Sequence, residues 1–188
     1  LAIQPDNEQA LQRMGDSLLA TGQLEAAREP LMKLLKLDPL NVQANITIGW
    51  ILGQQGNNSQ AMEHFDTALR IEPQATRALL GSANVWQSAG ESDKAVQAYQ
   101  QILELDPRQT EARIGLAMAL QSQGMEDQAL QHFQLALDEQ PENVNLLSSV
   151  AWLLATHSDV SKRDPQQAKL LAERAWNASD HQAPLAAD

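Results

Sequence analysis

The 188-residue sequence has no cysteine, few aromatic residues and a shortage of positive charge. Without cysteine, the chain forms neither disulfides nor thiolate metal sites. It has 13 lysines and arginines against 24 aspartates and glutamates, for a net charge of −11. This balance argues against nucleic-acid binding, which requires clustered basic residues. No apolar run approaches the roughly 20 residues that span a bilayer, so we expect no membrane insertion by this segment.

Motifs for catalysis and metal binding are missing as well. The sequence contains no phosphate-binding glycine loop, no HExxH and no nucleophile elbow. Its histidines, His64, His132, His157 and His181, do not cluster. The many carboxylates are spread over positions typical of a solvated surface. We therefore expect a protein that is not an enzyme and that holds no cofactor and no metal.

The sequence does have a strict repeat of 34 residues, carried by five columns in one register. The columns are Pro5, Pro39, Pro73, Pro107 and Pro141; Leu1, Leu35, Leu69, Leu103 and Leu137; Gly22, Gly56, Gly90 and Gly124; Ala27, Ala61, Ala95 and Ala129; and the bulky Leu31, Phe65, Tyr99 and Phe133. Such self-similarity indicates a repeat architecture.

Each repeat is predicted to form two helices. In the third, Leu79, Ala83 and Trp86 have the i, i+4, i+7 spacing of one helix face. Gly90 supplies the left-handed turn that ends this helix. A second helix follows and ends before Pro107, which cannot continue it. Small residues are expected where the two helices of a repeat approach each other: Gly15, Gly49, Ala83, Ala117 and Ala151.

With this pattern the sequence resembles the tetratricopeptide repeat family, whose units are 34-residue helix–turn–helix motifs. The family's small residue at position 8, glycine at 15, alanine at 20 and proline at 32 recur in the first four units. Its aromatic residue at position 24 is present in three of them, and the first unit has Leu31 instead. The tryptophan usual at position 4 and the tyrosine usual at position 11 are replaced. The resemblance implies an all-α fold, a right-handed α-solenoid of stacked helix–turn–helix units.

The repeat register divides the chain into predicted units. They are a tail of a preceding repeat at 1–7, repeats at 8–41, 42–75, 76–109 and 110–143, a divergent fifth at 144–178, and the start of a further helix at 179–188. The opening LAIQPDN repeats a phrase that elsewhere closes a unit. It therefore predicts that the sequence is a segment of a longer repeat protein.

Two irregularities interrupt the pattern. Pro30 falls inside the second helix of the first repeat and predicts a kink there. In the fifth repeat a polar insertion around 157–164 predicts a surface loop. Asp164 is expected to cap the next helix, with Pro165 at its first position. Lys162 and Arg163, a basic pair in an acidic chain, are interpreted either as part of a tolerated insertion or as an accessory contact.

The resemblance also implies where a partner binds. In the family, the first helix of each unit lines a concave surface through positions 2, 5, 9, 12 and 13. The corresponding partner-binding groove here is Ile46, Trp50, Arg77, Leu80, Asn84, Ile114, Met118 and Trp152. The apolar members of repeats two to four are predicted to form a stripe for aliphatic or aromatic anchors. For Trp50 and Trp152, packing against neighbouring helices remains the alternative, whereas Trp86 and Trp176 are predicted to be structural.

The predicted function is a protein–protein interaction module that binds a partner peptide or helix in its groove, as a scaffold or adaptor. The clamp of basic residues that holds a peptide carboxylate in some family members is not assembled here. One alternative is a substrate-recruiting or regulatory arm of a larger enzyme such as a glycosyltransferase. Another is a structural spacer. Apolar surface at the ends of the repeat stack also predicts weak end-to-end self-association.

Overall fold

A computed structural model describes residues 8–179, and all the regular structure in that range is helical. The α-helices are α1 (Glu8–Ala20), α2 (Leu24–Leu37), α3 (Val42–Gln54), α4 (Asn58–Ile71), α5 (Thr76–Ser88), α6 (Ser92–Leu105), α7 (Thr110–Ser122), α8 (Glu126–Glu139), α9 (Val144–Thr156) and α10 (Pro165–Ala178). The predicted fold class, an all-α helical repeat, is confirmed. The expected tail at 1–7 and almost all of the further helix expected at 179–188 lie outside the described residues.

The helices pair into hairpins because a glycine ends the first helix of each of the first four repeats. Gly22, Gly56, Gly90 and Gly124 have φ between 72° and 78°, the left-handed region that residues with a Cβ rarely adopt. The backbone N–H after each glycine bonds a carbonyl in the preceding helix; the bond from Asn57 to Leu52, for example, is 2.9 Å long. This closing bond satisfies carbonyls left unpaired at the helix end.

The contacts within the chain divide it into two compact blocks. The N-terminal block ends at Leu105 and contains α1–α6, and the C-terminal block begins at Asp106 and contains α7–α10. Within the N-terminal block, α3 contacts α2 and α4, and α5 packs on both α3 and α4. Within the C-terminal block, α8 contacts α7 and α9, and α9 contacts α10. Each block is therefore a stack of helical hairpins.

The repeated alanines and bulky residues form the core of these hairpins. Ala27, Ala61, Ala95 and Ala129 are fully buried, and so are Leu31, Phe65, Tyr99 and Phe133. The glycines opposite are required for this packing, because a Cβ at Gly15 would lie 2.6 Å from Leu31 Cγ and one at Gly49 would lie 2.7 Å from Phe65 Cε1. Alternating large and small residues thus lets the helices approach closely.

Replacing a repeated alanine by leucine is expected to destabilise the fold. Ala95 and Ala129 have no exposed surface, so the extra side-chain atoms of Ala95→Leu or Ala129→Leu have no space to enter. Overpacking of this kind costs about 1–3 kcal/mol of the free energy of unfolding. Urea denaturation of each variant measures the loss. A variant with the parent's denaturation midpoint would contradict the packing described above.

Both sequence irregularities are accommodated inside the fold. Helix α2 continues through the buried Pro30 to Leu37, so the proline does not end it. The insertion forms a short 3-10 turn at Val160–Lys162 between α9 and α10. Asp164 caps α10 as predicted, with its Oδ1 accepting a 2.9 Å bond from the backbone N–H of Gln167.

The insertion packs back onto the start of α8 and not outward. His157, expected on a surface loop, is buried. Lys162 Nζ lies 2.5 Å from Asp127 Oδ2, and Arg163 Nε donates to the His157 carbonyl oxygen at 2.8 Å. The basic pair is therefore used within the chain, which favours a tolerated insertion over an accessory contact.

Candidate functional site

Trp50 lies on α3 at the contact with α5. Its indole Nε1 donates to the backbone oxygen of Arg77, in the first turn of α5, at 3.2 Å. Its ring meets Phe65 edge to face, with centroids 6.2 Å apart and planes at 80°. Edge-to-face contact is a favourable geometry for aromatic pairs. The ring is half-buried, so it belongs to the packing between α3 and α5 and also presents a face to solvent.

The Phe65 ring fills the space between α3 and α5 because both helices have glycine beside it. A Cβ at Gly81 would lie 2.2 Å from Phe65 Cζ, closer than any real side chain tolerates. A Cβ at Gly49 would also overlap the ring. Gly53, one turn further along α3, is different, because a Cβ there would meet only Val85 at 3.6 Å and Ala61 at 3.9 Å. The space beside Gly53 is therefore open, whereas the space beside Gly49 and Gly81 is filled by the Phe65 ring.

This space is a pocket of about 220 Å³, which we call the α3–α5 pocket. Its lining residues are Gly49, Trp50, Gly53, Gln54, Phe65, Gly81, Asn84, Val85 and Ser88. Its walls are mainly apolar, with the amides of Gln54 and Asn84 and the hydroxyl of Ser88 among the lining groups. No charged side chain is among these residues. The pocket therefore suits an uncharged, apolar group with polar atoms beside it.

Asn84 is the polar group whose position in the pocket is fixed by a neighbour. The hydroxyl oxygen of Tyr99 lies 2.5 Å from Asn84 Oδ1 and 2.8 Å from Gln87 Oε1. Tyr99 itself is fully buried, so this hydrogen bond holds the Asn84 amide from beneath. With its oxygen engaged by Tyr99, Asn84 retains the two donors of its Nδ2 for a group in the pocket.

The structure brings together part of the groove predicted for the N-terminal block. Trp50 and Asn84 line the pocket, and Arg77 is exposed at the start of α5 with its carbonyl bound to Trp50. Ile46 and Leu80 are only 4% exposed and belong to the core, so their expected place on an exposed apolar stripe was wrong. Their positions face neighbouring helices, which cover them.

The groove residues predicted in the C-terminal block are more accessible. Ile114 is half-buried, Met118 is exposed, and Trp152 is 55% exposed. Trp176 was predicted to be structural, yet it is 65% exposed, so that prediction was wrong. Trp152 and Trp176 border a cleft of about 670 Å³ between α9 and α10, with alanines as its floor. The sequence signal was Ala172, which stands in α10 where α4 has Phe65.

Among residues 8–179, most of the carboxylates with a shifted pKa lie in the insertion or bond to it from α8, and the shifts have structural causes. The backbone N–H of Ser158 bonds the carboxylate of Glu126 and lowers its pKa. The hydrogen bond from Lys162 lowers the pKa of Asp127 and raises that of Lys162. Within residues 8–179 no three His, Asp or Glu side chains are placed to hold a metal ion. The bond from Ser158 to Glu126 and the ion pair of Lys162 with Asp127 hold the insertion against α8.

Two half-buried histidines are expected to make stability depend on pH. Burial lowers the pKa of His64 and of His132, with Arg113 adding to the effect at His132. Below the ordinary histidine pKa of about 6.5, the unfolded chain binds these protons more readily than the folded chain. The free energy of unfolding should therefore fall as the pH drops through this window.

The measurement is urea denaturation at a series of pH values, with His64→Gln/His132→Gln as the comparison. The double variant should lose most of the slope just below about pH 6.5. It should keep any loss at lower pH, where Glu126 and Asp127, whose pKa values are lowered in the fold, become protonated. An unchanged slope below neutral pH would contradict this assignment.

None of the helices between Glu8 and Ala178 combines the length and apolar character needed to cross a membrane.

Models of one known protein family match the chain. One tetratricopeptide repeat model matches residues 87–153, and a second matches residues 13–76 and 46–109. The chain belongs to the tetratricopeptide repeat family. The models that match this repeat protein describe a repeat and not an enzyme. No curated protein matches the chain in sequence.

Solved structures with the same repeat fold resemble the chain over nearly its whole length. MamA 41-end from Desulfovibrio magneticus RS-1 has a TM-score of 0.78 at 17% identity, covering 94% of this chain and 97% of that one. YrrB, described as a TPR protein with an unusual peptide-binding site, has 0.72 at 21%, covering 95% and 90%. Pseudomonas aeruginosa pilF has 0.75 at 19%, covering 89% and 76%. At these identities the likeness shows the fold alone.

Proposed function

We propose that this tetratricopeptide repeat protein is an interaction module that binds a partner segment on the face of α3 and α5. One aliphatic or aromatic side chain of the partner enters the α3–α5 pocket, between Trp50 and Val85. Asn84 hydrogen-bonds a backbone carbonyl of the same segment through Nδ2. The observation that carries the proposal is an uncharged pocket beside a tryptophan, with an asparagine already oriented by Tyr99.

The character of the pocket sets the chemistry of the partner. Apolar walls favour a neutral anchor over a charged terminus, although the protein as a whole has a net charge of −11. Binding through such a site should respond weakly to ionic strength, because screening acts mainly on exposed charges. Tetratricopeptide repeat proteins are suited to this role, and one structural neighbour is described as having a peptide-binding site. The role proposed for such binding is that of a scaffold or adaptor.

Panning a display library of random peptides against the immobilised protein tests the proposal. The selected peptides should share an apolar anchor, and fluorescence anisotropy should give affinities that change little with salt. Trp50→Ala should weaken binding by roughly thirtyfold or more, because truncating a large aromatic at a binding centre typically costs about 2 kcal/mol. The control is Leu105→Ala, an exposed leucine on α6 away from the pocket.

A loss of affinity equal in the two variants would contradict the proposal, as would selected peptides that bind only through charge. Circular dichroism melting accompanies the titrations, since Trp50 also packs on Phe65 and bonds Arg77. If Trp50→Ala binds like the parent protein, the α3–α5 pocket is not the site.

We also propose that the chain associates weakly with itself through the faces at the two ends of its described helices. Exposed apolar residues lie at both, Met14 on α1 and Trp152 and Trp176 in the last hairpin. Repeat units bury such faces against their neighbours, so apolar residues there favour association.

A further inference from the structure

The last described hairpin exposes a face that is built to be covered. We call it the α9–α10 face, and it consists of Trp152, Trp176 and the alanines between them, Ala151, Ala168 and Ala172. It borders an open cleft of about 670 Å³. Within residues 8–179 no helix follows α10 to fill it. Two large exposed aromatics beside a floor of small residues form a receptacle for another helix.

The chain itself shows how a tryptophan at this repeat position is covered. Trp152 occupies the place in α9 that Trp50 occupies in α3, since each is the ninth residue of its helix. Helix α5 packs on α3 and α4, and its first turn offers the Arg77 carbonyl to the Trp50 indole. The helix that covers Trp152 is therefore expected to offer the second residue of its first turn in the same way.

Helix α1 exposes residues at positions that are buried in the first helix of every other described repeat. Its third, seventh and tenth residues are Ala10, Met14 and Ser17, which we call the α1 face. At these three positions every other first helix is buried, with Ala44, Ile48 and Ile51 in α3, Ala78, Ser82 and Val85 in α5, Ala112, Leu116 and Ala119 in α7, and Leu146, Val150 and Leu153 in α9. In α1, by contrast, Ala10 is half-buried, Ser17 is exposed and Met14 is 56% exposed.

Residue sizes at the two faces are complementary in the repeat register. Where α4 meets α5, the large Phe65 lies against the sixth residue of α5, Gly81. The α9–α10 face has the small Ala172 at the Phe65 position, and the sixth residue of α1 is the large, exposed Arg13. At the α4–α5 contact the large residue is on α4, whereas at the contact between α10 and α1 the large residue would be on α1. Such paired changes conserve the volume of a packed contact.

We propose that the occupant of the α9–α10 face is α1 of a second copy of this chain. The α1 face of one copy packs on the α9–α10 face of the next, in the register in which α5 packs on α3 and α4. Trp152 then donates its indole N–H to the backbone oxygen of Gln9 in the second copy, and Met14 enters the cleft. This inference rests on the self-association proposed above and is independent of peptide binding.

The contact joins two different surfaces, so every open assembly has one unused face at each end. Such heterologous contacts add further copies to the assembly unless they close into a ring. Each copy carries a net charge of −11, and repulsion between copies opposes association at low salt. Moderate ionic strength screens this repulsion, so that the apolar contact can hold two copies together.

The test is analytical ultracentrifugation of the whole 188-residue chain over a wide concentration range in moderate salt. The parent protein should show an average mass that keeps rising past the dimer. Met14→Glu removes one face and Trp152→Glu removes the other, and each alone should be monomeric over the same range. An equal mixture of the two variants retains one intact pair of faces, and it should form a dimer and nothing larger. Leu135→Glu, at an exposed position on α8, is the control and should associate like the parent.

The remaining outcomes each overturn the proposal. A Met14→Glu protein that still associates, beside a monomeric Trp152→Glu protein, shows two α9–α10 faces pairing with each other. A mixture that stays monomeric shows that the two faces do not meet. Association that survives both substitutions places the contact elsewhere. A parent protein that is monomeric at every concentration rejects self-association itself, whereas the peptide titrations still decide the proposed function separately.

Discussion

Gly53→Leu is expected to weaken binding of the selected peptides by at least thirtyfold, about 2 kcal/mol, while making the protein more stable. Gly53 lines the α3–α5 pocket, and a Cβ there meets its neighbours at ordinary contact distances. The leucine side chain then occupies the space that the partner's anchor needs. Replacing a glycine inside a helix also removes its entropic disadvantage, which is worth about 0.5–1 kcal/mol. Loss of affinity with gain of stability separates a binding site from a packing defect.

Anisotropy titrations and urea denaturation of the same samples measure both effects. We expect at least a thirtyfold loss of affinity, equivalent to about 2 kcal/mol. Gln101→Leu adds the same side chain at an exposed position on α6 and should leave the affinity unchanged. Peptides that bind Gly53→Leu as well as they bind the parent would place their anchor outside the pocket.

Gly81→Ala is expected to destabilise the protein, although alanine is the better helix former. The new Cβ would lie 2.2 Å from the Phe65 ring, which is fully buried and has no space to move into. Overpacking costs about 1–3 kcal/mol, and at this distance the upper end is expected. The matched control is Gly53→Ala on α3, whose Cβ meets nothing closer than 3.6 Å. That substitution should stabilise the protein by about 0.5–1 kcal/mol.

A double-mutant cycle with Phe65→Ala identifies the cause. Phe65→Ala alone should cost about 3–5 kcal/mol, because it leaves a cavity between α3 and α5. In that background the Gly81 substitution has space, so its penalty should disappear, giving a coupling energy of at least about 1 kcal/mol. Equal effects of Gly81→Ala with and without the Phe65 ring would show that the clash is not responsible.

Local features of the sequence were sufficient to predict the helices. The five columns at a spacing of 34 residues fixed the register, and α1, α3, α5, α7 and α9 begin at residues 8, 42, 76, 110 and 144. Gly22 and its equivalents end helices because glycine, which has no Cβ, adopts the left-handed turn at low cost. Pro39 and its equivalents end the second helices because proline cannot continue them. These are constraints within one or two turns of chain, so they are readable without a structure.

Exposure of individual side chains was decided by tertiary structure. Trp50 and Trp152 hold the same repeat position, yet α5 covers the first, and no described helix covers the second. Ile46, expected to face a partner, is buried, and Trp176, expected in the core, is exposed. A repeat pattern specifies which face of a helix is apolar. Whether that face meets a neighbouring helix, a pocket or solvent depends on residues in other helices, such as Gly81 of α5 against the Phe65 ring of α4.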